Sequence, residues 1–305
     1  MSIRIVKNIE NATLVTHSGK FHADEVFATV ILEKLLEDVK VCRTFKVPEN
    51  LESNVIVYDV GGGELDHHQK GGNGSRENGV PYAACGLVWQ KYGHKVLEKM
   101  GTEGQVIDLV LNWVDRDLIQ GIDAIDNGKM PKAEYPCQAM TISMVIANFN
   151  VPWDSEEEAD EAFLKASELA SVVFDNTVKQ EISKAKAKEI VEKAIGESQD
   201  HIMVLERFAP WQEYIFSSEN PKAMDVWFVV FPSNRGGYNF QCVPTSLGSF
   251  GQRKAVPASW KGIKEEKLQE ETGVADATFC HPAGFIGGAQ TLDGALALAR
   301  KAVNS

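Results

Sequence analysis

The chain has 305 residues, enough for two domains of about 150 residues, each able to bury its own core. Hydrophobic residues make up 44% and charged residues 24%, the balance of a soluble globular protein, and no apolar run approaches the roughly 20 residues of a membrane span. A formal net charge of −12 excludes a broad, sequence-independent grip on nucleic acid, which depends on neutralising phosphates.

Residues 1–8 contain no apolar core long enough for a signal peptide, and the five cysteines are widely spaced with no CxxC pair. Both features point to reduced thiols in the cytoplasm. Strands and helices then alternate: a strand over 12–16, a helix over 23–37, and strands over 41–45 and 55–58. Such βαβ order predicts a parallel sheet whose ligands gather at the carboxyl ends of the strands. Gly61-Gly62-Gly63 makes a turn and 71–75 a loop, followed by helices over 82–100, 105–120 and 138–148. Ser155 and Glu158 have the spacing of a capping box, opening a helix that runs to about residue 197. Phe163, Ala166, Leu169, Ala170 and Val173 form its apolar stripe. The second domain uses strands near 202–205, 225–231, 238–243 and 278–280, then a helix over 292–302. The expected organisation is an α/β catalytic domain over 1–152, a connecting helix over 153–199, and a smaller α/β domain over 200–305 that binds substrate.

The chemistry concentrates between positions 17 and 68. His17, His22 and Asp24 lie after the first strand of the alternation, Asp59 ends its last strand, and Asp66-His67-His68 follows. Imidazoles and carboxylates together suit Mn²⁺ or Zn²⁺, and their number exceeds what one ion requires. The pattern predicts a two-metal hydrolytic centre, in which the ions jointly lower the pKa of water and neutralise charge on a phosphoryl oxygen. Asp59 is the natural bridge. His17 and His22 hold one ion, Asp24 with His67 the other, and His68 is left for the substrate or the leaving oxygen. One further carboxylate completes the set, from among Asp115, Asp117, Asp123 and Asp126.

From Val226 to Lys264 there is no acidic residue, while Arg235, Arg253, Lys254, Lys261 and Lys264 are all present among seven aromatics. That combination predicts a surface for phosphates and bases. His281 is a further residue that could face the cleft.

His17-x-Gly19-x-Phe21-His22-x-Asp24-Glu25, Tyr58-Asp59-Val60-Gly61-Gly62 and Asp66-His67-His68-Gln69 together resemble the signature of the DHH phosphoesterase superfamily. More narrowly they resemble its melanocyte-proliferating-gene-one branch, as do the stretch from Ile122 to Gly128, Gln241-Cys242-Val243-Pro244, Arg253, Trp260-Lys261-Gly262 and Gly284 to Gly288. The resemblance spans nearly the whole chain. It implies a DHH catalytic domain, a C-terminal domain that closes over substrate, hydrolysis of phosphoester or phosphoanhydride bonds with Mn²⁺, and 3′→5′ exonucleolytic trimming of RNA. It singles out Asp123 and Asp126, of which Asp123 is taken as the ligand with Asp126 supporting it, and it assigns backbone N–H donors to Gly287 and Gly288. This chain departs from the common pattern in placing His22 where an aspartate is usual, and Ala289-Gln290 after the glycines where a histidine is usual.

The leading expectation is therefore a phosphodiesterase with two divalent cations, Mn²⁺ before Zn²⁺ or Mg²⁺, acting on RNA or short oligonucleotides. Rivals are a pyrophosphatase-like hydrolase of small phosphoanhydrides, a zinc amidohydrolase, and a non-catalytic, metal-stabilised RNA-binding protein. Aromatics available for base stacking favour the first.

Overall fold

Short runs of Val, Ile and Leu build a four-stranded sheet from β1 (Ile3–Ile5), β2 (Leu14–Thr16), β3 (Val39–Arg43) and β4 (Ile56–Val57), in the order β1-β3-β2-β4 with every pair parallel. The computed structural model describes residues 3–104, 106–130, 137 and 139–305. It divides into two units, Met1–Ala185 and Lys186–Ser305. Side chains of β2 alternate between the two faces of the sheet. Leu14 joins the main core, whereas Val15 joins a small cluster with Ala12 and Cys42.

Between β2 and β3 runs α1 (Ala23–Glu33), buried at every residue from Ala23 to Leu32. A helix apolar on all sides must be covered on all sides. Around it pack α2 (Ala84–Lys99), α4 (Gln120–Asp126), α5 (Ile142–Ala147) and α6 (Ala159–Ala185). Trp89 of α2 meets Phe174 of α6 edge-on at 5.7 Å, and Phe21 meets Phe163 likewise at 5.5 Å. The segment α3 (Val106–Val114) continues into α4 through a π-helical turn at Asp115–Ile119.

The predicted βαβ order is present, with differences at the edges. β1 was not anticipated, being three residues long. The expected helix starts at Gln105 and Gln138 lie outside the described residues. No capping box forms at Ser155: its hydroxyl accepts instead from Glu157 N–H, closing a local turn, and the helix starts at Ala159. The single helix expected to 197 is two, because the chain turns at 186–187 before α7 (Lys188–Gly196). The first of these helices packs on α1 and α3 within the first unit.

The second unit adds β5 (Ile202–Val204), α8 (Gln212–Ser217), α9 (Lys222–Asp225), β6 (Phe228–Pro232), β7 (Tyr238–Cys242), α10 (Glu265–Thr272), β8 (Ala277–Cys280), β9 (Ile286–Ala289) and α11 (Leu292–Val303). Its sheet runs β5-β6-β7-β9-β8, parallel only between β5 and β6. Phe228, Val230, Phe240 and Cys242 alternate onto one face, where Ala295, Leu298, Ala299 and Ala302 of α11 join the same core. All five cysteines are free thiols. Among the described residues no helix is long and apolar enough to cross a membrane.

Candidate metal centre

His17 follows β2 directly, and the loop from His17 to His22 is fixed from several directions. Asn150 accepts from Phe21 N–H at 2.9 Å and donates to Phe21 C=O at 2.8 Å, pairing with it as a strand would. Arg43 donates to Gly19 C=O at 2.7 Å while its guanidinium rests over the Phe21 and Phe163 rings. Gly19 sits at φ +83°, and a Cβ there would lie 3.2 Å from the Phe45 ring, so both conformation and space call for glycine. Glu25, in the first turn of α1, accepts from His22 N–H at 2.9 Å. Asp24 and Glu25 thus sit at the amino end of a helix, where the macrodipole favours negative charge.

On the neighbouring strand, Tyr58 N–H still bonds Val15 C=O, and the chain then turns sharply at Asp59, whose φ is +57°. Asp66 shapes the return. One carboxylate oxygen accepts from Gly62 N–H at 2.7 Å, and the other from His68 N–H at 2.9 Å, with the His68 ring Nδ1 3.0 Å from it. The aspartate of the Asp-His-His triplet is therefore the residue that orients His68.

These arms converge. His17 Nε2 lies 2.9 Å from Glu25 and 3.3 Å from Asp59. His67 Nε2 lies 3.1 Å from Asp126, 3.2 Å from Asp59 and 3.6 Å from Asp24. His68 Nδ1 is 3.3 Å from Asp59, and His22 Nδ1 is 3.8 Å from Asp126. Among the described residues, four triplets have ligand atoms within 4.8 Å of one another: His17-His22-Glu25, Asp59-His67-His68, His22-Asp24-Asp126 and Asp24-Glu25-Asp59.

The polar atoms in this cluster are close but poorly aligned for hydrogen bonds. Both oxygens of Asp24, both of Asp59, and the Nε2 atoms of His17 and His67 are buried with no hydrogen-bond partner among the described residues. Leaving such groups unpaired is costly. His17 Nδ1 lies 2.9 Å from Ser18 C=O, which can only accept, so Nδ1 carries hydrogen and a neutral ring turns its Nε2 lone pair towards two carboxylates. Lone pairs facing lone pairs require a cation between them. Without one, protons take that place. Burial opposes charge on His17, yet Asp59 and Glu25 outweigh it and raise its pKa to about 10. Asp59 foremost, against burial, pushes His68 up to about 9. Burial, followed by repulsion from Asp59, Glu25 and Asp126, holds the Asp24 carboxyl well above its usual range. At Asp59 burial acts the same way, but His17, His67 and His68 prevail and hold its carboxyl well below that range. The donor set fits divalent cations of the Mn²⁺ or Zn²⁺ kind.

Of the residues singled out in the sequence, His17, His22, Asp24, Asp59, His67 and His68 come together. Asp126, expected to support Asp123, is the one that faces the histidines, whereas Asp123 is held by Gly86 and Arg76. It accepts from Gly86 N–H at 2.9 Å and pairs with Arg76 at 2.8 Å, and Arg76 also grips Asp115 through two nitrogens. Burial pushes Asp123 up to about 7 in spite of Arg76. Glu25, Asn150 and Arg43 had no assigned part. Glu25 was signalled by its spacing of three from His22, the register of a capping box, but Asn150 and Arg43 carry no local signal.

The second-unit residues are dispersed. Arg253 Nη1 donates to the carbonyls of Ala223, Met224 and Val226, over the Phe216 ring, and Lys254 donates to the Ser305 carbonyl. Gly287 and Gly288 lie in β9, paired on both sides, and a Cβ on either would meet the Phe240 or Phe279 ring at 2.5 or 2.9 Å. Their N–H groups belong to the ladder of a strand that was not anticipated. His281 is exposed in the β8–β9 turn, its Nδ1 accepting from Ala283 N–H. Arg235 is exposed in the β6–β7 turn and lines a pocket with Tyr238, Asn239 and Phe279. Of the seven aromatics in the acid-free stretch, Phe228, Phe231, Phe240 and Trp260 are buried and hold the core.

Fold and site define the class: an α/β protein carrying, at the carboxyl edge of a parallel sheet, a histidine–carboxylate cluster that could hold metal ions. The model of the MYG1 exonuclease family, described as "Uncharacterised protein family (UPF0160)", matches residues 13–303, and the chain belongs to that family. Relatives include MYG1 protein C694.04c of Schizosaccharomyces pombe, 32% identical over 315 residues that cover 95% of this chain and 97% of that protein. The protein named MYG1 exonuclease in Homo sapiens is 31% identical over 316 residues, covering 93% of this chain and 84% of its own. MYG1 protein of Dictyostelium discoideum is 30% identical over 323 residues, covering 97% and 98%. No solved structure matches the chain.

Proposed function

We propose that this protein is a divalent-cation-dependent phosphodiesterase of the DHH type, an exonuclease that trims RNA or short oligonucleotides from the 3′ end. The observation that carries the reading is the set of buried, unpartnered carboxylate and imidazole atoms around Asp59. The name exonuclease, borne by the human, rat and mouse relatives, supports a nucleic acid as substrate. His17 and Glu25 on one side, and Asp24, His67 and Asp126 on the other, would hold two cations, with Asp59 shared and His22 close to both groups. Mn²⁺ suits this mixture of imidazole and carboxylate better than Mg²⁺, which prefers oxygen alone. When bound, such a pair lowers the pKa of water and neutralises charge on the phosphoryl group.

The chain's own residues do the rest. Asp66 fixes the His68 ring through Nδ1, and the half-exposed ring presents its other nitrogen to the scissile phosphate, to donate to the leaving oxygen. Asn150 and Arg43 keep the His17–His22 loop in place, so that little reorganisation accompanies the reaction. In the second unit, Arg235, Lys261 and Lys264 of the acid-free stretch are exposed and suit phosphate contacts.

A second reading, hydrolysis of small phosphoanhydrides, is favoured by one observation: Arg253 and Lys254 are engaged with backbone carbonyls. A panel of labelled RNA, single-stranded DNA, nucleotides and pyrophosphate, supplied with Mn²⁺, separates the two. A ladder shortening RNA from its 3′ end is the expected result. Release of phosphate from pyrophosphate alone would install the second reading, and inert substrates throughout would sink both.

A further inference from the structure

Beside the cluster lies a pocket of about 640 Å³, within the range that holds a small ligand. Its two walls differ in kind. One is the ionisable set of His22, Asp24, His67, His68 and Asp126. The other is mostly apolar, made of Ile122 and Ile125 of α4 with Met144 and Ala147 of α5, and includes the Ser143 hydroxyl. Asn127 and Gln69 supply amides at the margin, and their side-chain nitrogens are already spent on backbone carbonyls, Asn127 on Tyr82 and Asp123 and Gln69 on Gly63 and Asp66.

A ligand matching both walls must be anionic at one end and flat and apolar at the other. Pyrophosphate would leave the apolar wall in water. A nucleoside carrying a phosphate matches both, because every base has an apolar face that stacks without regard to sequence. Met144 suits such a role, since its unbranched thioether adapts to rings of different shape and makes favourable sulfur–aromatic contacts. We infer that this pocket receives the terminal nucleoside of the substrate, with the base against Ile125 and Met144 and the phosphate towards His67, His68 and Asp126. The inference rests on the phosphodiesterase reading for the identity of the phosphate, and the apolar wall adds the nucleoside. It makes the enzyme end-acting and tolerant of base identity, and it assigns specificity to α4 and α5.

The test is a set of titrations of AMP, ribose 5-phosphate and inorganic phosphate into the Mn²⁺-supplied protein. AMP should bind at least ten times more tightly than ribose 5-phosphate, which carries the same phosphate without the base. Ile125→Ala combined with Met144→Ala should weaken AMP about tenfold and leave inorganic phosphate within twofold, while Met144→Leu, which keeps the wall, should bind AMP as the parent does. Equal affinity for AMP and ribose 5-phosphate, or an unchanged AMP affinity in the double variant, would overturn the assignment. Cleavage of labelled RNA is scored separately. Its absence with AMP discrimination intact counts against the nuclease reading alone, and unchanged KM for RNA in the double variant counts against the pocket alone.

Discussion

Asp59 concentrates the demands of the site in one residue. It touches three histidines, has both carboxylate oxygens buried, and adopts a left-handed backbone conformation that only glycine, asparagine and aspartate accept readily. Asparagine keeps the shape and tolerates the same φ, so Asp59→Asn isolates the charge. The variant should fold, lose cation stoichiometry by metal analysis, and fall more than tenfold in turnover, over ~1.4 kcal/mol of transition-state stabilisation. Turnover within a factor of ten would remove Asp59 from the centre. The two aspartates of α4 offer a paired comparison: Asp126→Asn should reduce bound cation, whereas Asp123→Asn should leave cation content unchanged and lower stability, read from metal analysis and thermal melts of the same samples.

At the scale of elements, the crossing of α4 over the start of α2 is tight. A Cβ on Gly86 would lie 1.8 Å from an Asp123 oxygen, so Gly86→Ala must displace a buried, paired carboxylate and should cost at least ~3 kcal/mol in denaturant unfolding. The same carboxylate makes stability depend on pH in an uncommon direction. Its folded pKa of about 7 lies above the unfolded value of about 3.9, so the unfolded chain gives up this proton first as pH rises. Its contribution therefore falls from about pH 4 and is fully lost above about pH 7, by at most ~4 kcal/mol. Melts from pH 4.5 to 7.5 should show a smaller decline for Asp123→Asn than for the parent, and parallel curves would refute the raised pKa. The π-helical turn at Asp115–Ile119 explains why the sequence does not show which aspartate faces the histidines. Spacing relates Asp123 to Asp126, but an extra residue in one turn rotates everything after it, so the absolute direction of either is hidden.

At the scale of the whole molecule, the four triplets among the described residues that could hold a cation all belong to the first unit. Chelation should then lower the thermal transition of that unit and leave the second unit's transition in place. At a free cation concentration of 100 Kd the loss is ~2.7 kcal/mol. Calorimetry with and without EDTA checks this, and equal shifts in both transitions would argue for a cation elsewhere. What is legible in the sequence follows from locality. His17, Asp59 and the Asp-His-His triplet can be read because strand ends, turns and ligands lie adjacent along the chain. The glycines of β9 are the opposite case: Gly287 and Gly288 read as backbone N–H donors for substrate, and only the Phe240 and Phe279 rings on neighbouring strands reveal why small residues belong in the sheet. Arg253 misleads in the same way, its partners being carbonyls about thirty residues upstream.

The clamp on the His17–His22 loop has a consequence in time. Asn150 lies 129 residues beyond Phe21, and Arg43, which also holds the loop, is itself paired with Asp160. A chain emerging from the ribosome therefore carries every histidine of the cluster long before Asn150, and the Asp160 that pairs with Arg43, have been made. Domains fold as units during synthesis, with distant contacts last. The nascent cluster is a flexible set of ligands until about residue 160 is available, and cation capture belongs to the end of that unit's folding. Fragments ending near residue 130 should show the difference: they contain His17, His22, His67, His68 and Asp126, yet should bind Mn²⁺ far more weakly than the full chain.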